Sequence, residues 1–282
     1  MTIFKAACIQ LSAGREIAPN IDAAGALVRR ARDAGADLIM TPEVSDMIEP
    51  KRQARLEKAL DEASHPMLAA FRALARETGA YLLLGSIMIR VAGEERLANR
   101  SFLIAPDGTV LARYDKVHMF DVDLPGGESY RESAVFKPGE ASVLAALPWG
   151  VLGLTVCYDL RFPHLYRVLA QGGADFLTVP AAFTVPTGRA HWHVLLRARA
   201  IENGCFVFAP AQCGTHAEGR RTYGHSLIVA PWGEILAEAE DEVGFITAEI
   251  DPAKVAEARR AVPSLSHDRP FSPPPRRSQA AE

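Results

Sequence analysis

Apolar residues recur along this chain in two periods, and the two periods alternate. "IFKAACIQL" opens as an apolar run of strand length, and Ile17, Ile21, Ala24, Val28 and Ala31 then follow at helical spacing. Gly35 closes that helix, and "ADLIMTP" reads as a short buried strand running into a proline. The unit repeats as a helix over 66–78 and a strand "AYLLLGSIMI". "RSFLIAPDGTVLARYDK" reads as a hairpin around Pro-Asp-Gly. Residues 117–141 are polar and Gly-rich and are expected as loop. "VLAALPWGVLGLTVC" is a second strand pair around Pro-Trp-Gly. A helix over 162–171 leads to the strand "ADFLTVP", and a helix over 189–203 leads to "CFVFAPA". "YGHSLIVAPWGEILAEA" is a third hairpin, "GFITAEI" is another strand, and 252–262 is a last helix. The turns "APDG", "LPWG" and "APWG" share a pattern that points to an internal two-fold repeat. Strands alternating with helices, with several hairpins added, predict an α/β fold of mixed sheets covered by helices. No linker divides the chain, so one domain is expected over 1–270. The remaining tail, 271–282, is too Pro-rich to pack as an element.

Composition narrows the function more than the fold. With 282 residues, 49% hydrophobic and 23% charged, the chain is ordinary globular protein. Its net charge of −3 and the lack of any basic block except "PPPRRS" argue against nucleic acid as a partner. No apolar stretch reaches membrane-spanning length, so no membrane partner is expected. The N-terminus lacks the pattern of a signal peptide. Cys8, Cys157, Cys205 and Cys213 are dispersed, and without an export signal they predict a reduced, cytoplasmic protein. CxxC, HExxH, Walker and GxGxxG patterns are all missing, so neither a metal nor a cofactor is expected.

The chemistry concentrates at strand ends. In "LTVCYDLRFPHL" an apolar strand ends on Cys157, which reads either as a small buried hydrophobe or as a nucleophile. Glu43 follows "DLIMTP" and Lys116 follows "TVLARYD", so three reactive side chains stand directly after strands, where sites in open α/β sheets assemble. A carboxylate can take a thiol proton, and a fixed ammonium can hold the oxyanion of a tetrahedral intermediate. Taken singly, Glu43 also reads as a cap and Lys116 as a solvated surface lysine.

The chain resembles the nitrilase superfamily of carbon–nitrogen hydrolases, within its Nit branch. The resemblance rests on "TPEVSD", "YDKVHMFDVDLPG", "VCYDLRFPHL", "HWHVLLRARAIENGCFV" and "YGHSLIVAPWGEIL", and runs from Cys8 to about Arg269. It implies a four-layer α-β-β-α sandwich that pairs into a homodimer or higher homo-oligomer through the 189–203 helix and the C-terminal tail. It implies Glu43 as general base, Lys116 as oxyanion-stabilising lysine and Cys157 as nucleophile, with the Tyr158 N–H completing the oxyanion hole. The second glutamate of the family falls on Glu132 in "YRES", with Glu128 as the competing candidate. The implied reaction is hydrolysis of a non-peptide amide through a Cys157 thioester. Within the branch, "AQCGTHAEGRRTYGHS" is similar to the type acting on deaminated glutathione, and α-ketoglutaramate, the ω-amidase substrate, is the alternative. Nitrile or carbamoyl hydrolysis stands further off, because "CYDLRFP" lacks the tryptophan that follows the cysteine in nitrile-cleaving members. A binding protein on a retained hydrolase fold is the rival of a different class. Candidate substrate contacts are Arg161, Phe183 and His191, with Arg220 and Arg221 available for carboxylates. Each has a plainer reading: Arg161 paired with Asp159, Phe183 and Trp192 as core, and His118, His191, His193 and His225 as polar packing.

Overall fold

The structure is a computed structural model that describes residues 2–124, 127–272 and 274. In chain order its first half is β1 (Phe4–Gln10), α1 (Ile17–Asp33), β2 (Leu38–Met40), α2 (Arg52–Lys58), β3 (Leu60–Asp61), α3 (Pro66–Thr78), β4 (Tyr81–Arg90), β5 (Leu97–Ile104), β6 (Val110–Asp115), β7 (Asp121–Asp123) and β8 (Ser129–Arg131). The second half is β9 (Val143–Leu147), β10 (Gly150–Leu154), α4 (Pro163–Gln171), β11 (Phe176–Thr178), α5 (Val185–Asn203), β12 (Phe206–Ala209), β13 (Cys213–Thr215), β14 (Arg221–Tyr223), β15 (Leu227–Val229), β16 (Ile235–Glu238), β17 (Gly244–Ile250) and α6 (Ala253–Ala261).

The alternation of side chains along each strand builds the layers. On β1, Phe4, Ala6 and Cys8 face a core shared with the second sheet, while Ala7 and Ile9 face α1 and α3. Leu38 and Met40 against Ile39 on β2, and Leu83 against Leu82 and Leu84 on β4, divide the same way. Strands buried on both faces read as near-continuous apolar runs, which is why these three show no polar alternation. The second sheet packs its outer face on α4 and α5 through Leu169, Trp192 and Leu196. Between the sheets Phe4 stacks on Trp149 at 4.3 Å and meets Phe176 edge-on at 5.4 Å. The result is the expected four-layer α-β-β-α sandwich.

The internal repeat is visible in strand order. The sheets run β17-β1-β2-β4-β5-β6 and β9-β10-β11-β12-β15-β16, each a parallel trio flanked by antiparallel neighbours in the same places. The β5–β6 and β15–β16 turns correspond atom for atom. Gly108 N–H donates to Ala105 O and Ala105 N–H to Thr109 O, as Gly233 N–H does to Ala230 O and Ala230 N–H to Glu234 O. "LPWG" is not a third copy. It closes the β9–β10 hairpin, whose counterparts β17 and β1 lie at opposite ends of the chain.

Other expectations need correcting. Residues 117–141 are not all loop, for β7 and β8 pair there and a helical turn follows at Glu132–Ala134. Each strand is too short to show period in sequence. The β13–β14 ribbon and α2 were hidden for the same reason. Helix α5 begins at Val185, where Pro186 fits its first turn, four residues before the expected start. Of the tail 271–282, all but 271, 272 and 274 lies outside the described residues.

Candidate active site

Both sheets end at one place, and the three strand-end residues meet there. Glu43 follows β2 and Lys116 follows β6 on the first sheet, while Cys157 follows β10 on the second. Lys116 Nζ lies 2.9 Å from Glu43 Oε1 and within 2.8–2.9 Å of both Glu132 oxygens. Glu43 also faces the Cys157 thiol across the site and accepts the Ala182 N–H through Oε2 at 2.9 Å. All three are buried.

Local backbone explains why the side chains point inward. Cys157 sits at φ +52 and Val44 at φ +47, left-handed conformations that are rare for non-glycine residues and costly for a β-branched one. The Cys157 turn is held by its N–H to Pro180 O (2.9 Å) and by Asp159, whose carboxylate accepts the Val156 N–H (2.9 Å). Asp159 does not pair with Arg161. It accepts the Tyr114 hydroxyl from β6 at 2.7 Å and the His118 N–H at 3.0 Å, so it staples the cysteine turn to the strand carrying Lys116. Gly85, at a bulge in β4, makes room for the Glu43 loop, since a Cβ there would stand 1.9 Å from Thr41 O.

The charges follow from these contacts. Burial alone would raise the Glu43 carboxyl, but the Lys116 charge, the facing Cys157 thiol and the hydrogen bonds from Lys116 and Asn99 outweigh it and hold Glu43 below the usual range. Burial also works against the Lys116 ammonium, yet Glu132, Glu43 and Cys157 drive its pKa well up. Burial and the facing Glu43 push the Cys157 thiol well above its ordinary value, with Lys116 only partly offsetting them. The resting site therefore holds a neutral thiol against a carboxylate that is itself charged. Such an arrangement can transfer the thiol proton as sulfur attacks, rather than storing a thiolate.

Of the two glutamates, Glu132 grips Lys116, and its Oε2 also accepts the Phe120 N–H at 2.6 Å. Glu128 instead accepts the Tyr130 hydroxyl at 3.0 Å. Phe183 lines the site cavity, of about 520 Å³, and so do Tyr158 and Arg220. Arg161 and His191 do not line it. They contact each other at 3.2 Å, and the Arg161 guanidinium lies over the Tyr158 and Phe183 rings from behind. Arg221 is exposed on β14.

Sequence reasoning missed several contributors. Asn99 donates to Glu43 (3.0 Å) and to Glu132 (3.3 Å), and Gln212 donates to Glu43 O (3.0 Å). An asparagine inside the apolar run of β5 was the available signal, because asparagine is disfavoured in strands. Arg52 and Arg55 also line the cavity. Arg52 donates to Ala134 O at 3.0 Å, Arg55 to the carbonyls of Glu49 and Pro50, and Arg220 to Ala182 O at 3.5 Å. None of these three donates to a carboxylate among the described residues, and the buried Nε of Arg220 has no partner. Burial and the charge of Arg220 lower the Arg55 pKa, with Glu132 and Glu49 only partly offsetting them, and both guanidinium-bearing residues line the cavity.

Comparison with known proteins shows the family. A family model described as carbon-nitrogen hydrolase matches residues 5–260. The chain is 43% identical over 274 residues to the deaminated glutathione amidase of Synechocystis sp., covering 95% of this chain and 98% of the relative. It is 42% identical over 257 residues to the Homo sapiens protein of the same name, covering 89% and 78%. The Caenorhabditis elegans NitFhit structure superposes with a TM-score of 0.89 at 36% identity, covering 95% of this chain and 65% of that one. Nit3 of Saccharomyces cerevisiae, a member of branch 10 of the nitrilase superfamily, gives 0.83 at 29% identity, covering 93% and 94%.

Proposed function

Because this chain belongs to the carbon–nitrogen hydrolase family and is an amidase of its Nit branch, we propose that it hydrolyses the amide of deaminated glutathione, releasing 2-oxoglutarate and cysteinylglycine. The relatives bearing that name support the substrate. The observation that carries the reading on this chain's own residues is that Arg52, Arg55 and Arg220 line the cavity without meeting a carboxylate among the described residues, since the substrate bears a carboxylate at each end.

The reaction runs through Cys157. Sulfur attacks the amide carbonyl as Glu43 takes the thiol proton. The oxyanion is met by Lys116 Nζ and by the Tyr158 N–H, for which no protein acceptor is found among the described residues. Glu43 returns the proton to the departing amine, leaving a thioester. Water then adds to the thioester, losing its proton to Glu43, and the acid departs as the thiol is restored. Glu132 and Asn99 hold Lys116 and Glu43 in register throughout.

The test compares kcat/KM for deaminated glutathione and α-ketoglutaramate, with an aliphatic nitrile as control. Deaminated glutathione is expected to lead, because remote contacts with the longer substrate can lower the barrier. Arg220→Gln is expected to raise its KM by about 10-fold or more, the scale of one charged hydrogen bond, with kcat changing less. A preference for α-ketoglutaramate would make the chain an ω-amidase, and rapid nitrile hydrolysis would overturn the reading.

The same reading includes a homodimer in the cytoplasm. Val194 and Ile201 on α5 are 68% and 53% exposed, and Trp232 (57%) projects from the turn whose Gly233 lies against Ile201. Exposed apolar side chains on one helix and the turn beside it support a partner copy. Val194→Glu is expected to halve the mass seen by light scattering, and an unchanged mass would move the contact elsewhere. All four cysteines are free and buried, as suits a reduced compartment. No helix among the described residues is long and apolar enough to cross a membrane.

A further inference from the structure

On the far side of the wall formed by Phe183, three elements bring side chains of one chemistry together. His193 comes from α5, His225 from the turn before β15, and Glu238 from the end of β16. Their ligand atoms all lie within 4.8 Å of one another. His193 Nε2 is 2.8 Å and His225 Nδ1 3.0 Å from the same atom, Glu238 Oε1. The other nitrogen of His225, Nε2, lies 3.4 Å from Asp241 Oδ1.

His225 faces a carboxylate oxygen through each ring nitrogen, Glu238 through Nδ1 and Asp241 through Nε2. A cation bound by His193 Nε2, His225 Nδ1 and Glu238 satisfies the same geometry with both rings neutral. Asp241 would then accept the remaining His225 N–H, the arrangement that fixes the tautomer of a metal-ligating histidine. The backbone is committed to this placement as well. His225 is held at φ +56, its ring stacks on Tyr223 at 4.4 Å, and its carbonyl accepts the Trp192 indole N–H at 2.8 Å.

We propose that His193, His225 and Glu238, oriented by Asp241, form a binding site for a divalent transition metal of the zinc class. Two imidazoles and one carboxylate suit zinc and its first-row neighbours, and select against calcium and magnesium, which prefer all-oxygen sites. All three ligands lie outside the amidase cavity, so the site is independent of the amidase reading. Bound metal would tie α5 to the β15–β16 hairpin. Through Trp192, whose ring packs on Phe183 at 4.8 Å, it would brace the back of the cavity wall.

The test titrates Zn²⁺, and Co²⁺ as a visible reporter, into the full chain carrying Cys157→Ala, so that the cavity thiol cannot compete as a ligand. One equivalent is expected to bind and to raise the thermal midpoint, with Co²⁺ giving ligand-field bands of an N/O site. His193→Ala, Glu238→Gln and His225→Asn, the last keeping a residue that tolerates positive φ, should each weaken binding by more than the ~10–100-fold expected of Asp241→Asn. Circular dichroism without metal checks that each variant folds. Binding well below one equivalent, or affinity unchanged in folded His193→Ala, overturns the proposal.

Discussion

Cys157→Ala is expected to abolish turnover while leaving the fold intact. Loss of a covalent nucleophile costs on the order of 10⁶-fold in kcat where it has been dissected, and no other thiol of this chain can substitute. Cys205 and Cys213 are buried away from the cavity with their thiols pushed up to about 12 and about 11, and Cys8 is raised further still. The variant should fold because Sγ borders an open cavity, so its removal leaves no closed void to collapse. The strained φ of +52 is no worse for alanine than for cysteine. Intact mass spectrometry during turnover should show an acyl adduct on the wild type and none on the variant. Substantial activity in folded Cys157→Ala would remove the thioester from the mechanism. Because the resting thiol is neutral and faces Glu43, slow alkylation of the free enzyme would not count against it. Glu43→Gln should slow acylation by substrate far more than it changes alkylation at high pH.

What could be read from sequence, and what could not, divides by range. Strand ends were legible because period-two and apolar-run signals are local, and Glu43, Lys116 and Cys157 each follow such a run. Their convergence was legible only through the resemblance, since β6 and β10 meet across two sheets. Asp159 and Arg161 show where local reasoning fails. They are two residues apart and opposite in charge, yet Asp159 turns inward to Tyr114 and His118 while Arg161 lies over the rings of Tyr158 and Phe183. Pairing was decided by the element each side chain faces, not by spacing. Asn99, Gln212 and Ala182 act on Glu43 from positions 56, 169 and 139 residues away. No periodicity encodes contacts of that kind. Arg55 was hidden because α2, only seven residues long, carries no buried residue and so no apolar stripe.

Lys116→Met is expected to damage catalysis and stability together, and to reverse the sign of one pH dependence. In catalysis the ammonium meets an oxygen that becomes negative only during attack, so kcat should fall about 10²–10³-fold, the scale of one lost oxyanion donor. In the fold, removing the ammonium strands Glu43 and Glu132, which both bond it within 2.9 Å and share Asn99. Breaking a buried ion pair from one side costs about 3–5 kcal/mol. In the wild type the Glu43 pKa is depressed, so its contribution to stability is present above the unfolded value of about 4.3 and is lost as pH falls through the lower folded value. Without Lys116, burial is left as the leading influence and Glu43 moves above its unfolded value. Its contribution is then present in acid and lost as pH rises through the raised value. Denaturant titrations at several pH values should therefore show Lys116→Met gaining stability on mild acidification, where the wild type does not. The acid limb of any residual kcat/KM should move upward in the same direction, because the base is active only as the carboxylate. Adding Glu132→Gln separates the two effects: it should recover much of the lost stability by removing one stranded charge, without recovering kcat. If Lys116→Met raised only KM and left kcat unchanged, the lysine would hold substrate rather than the transition state.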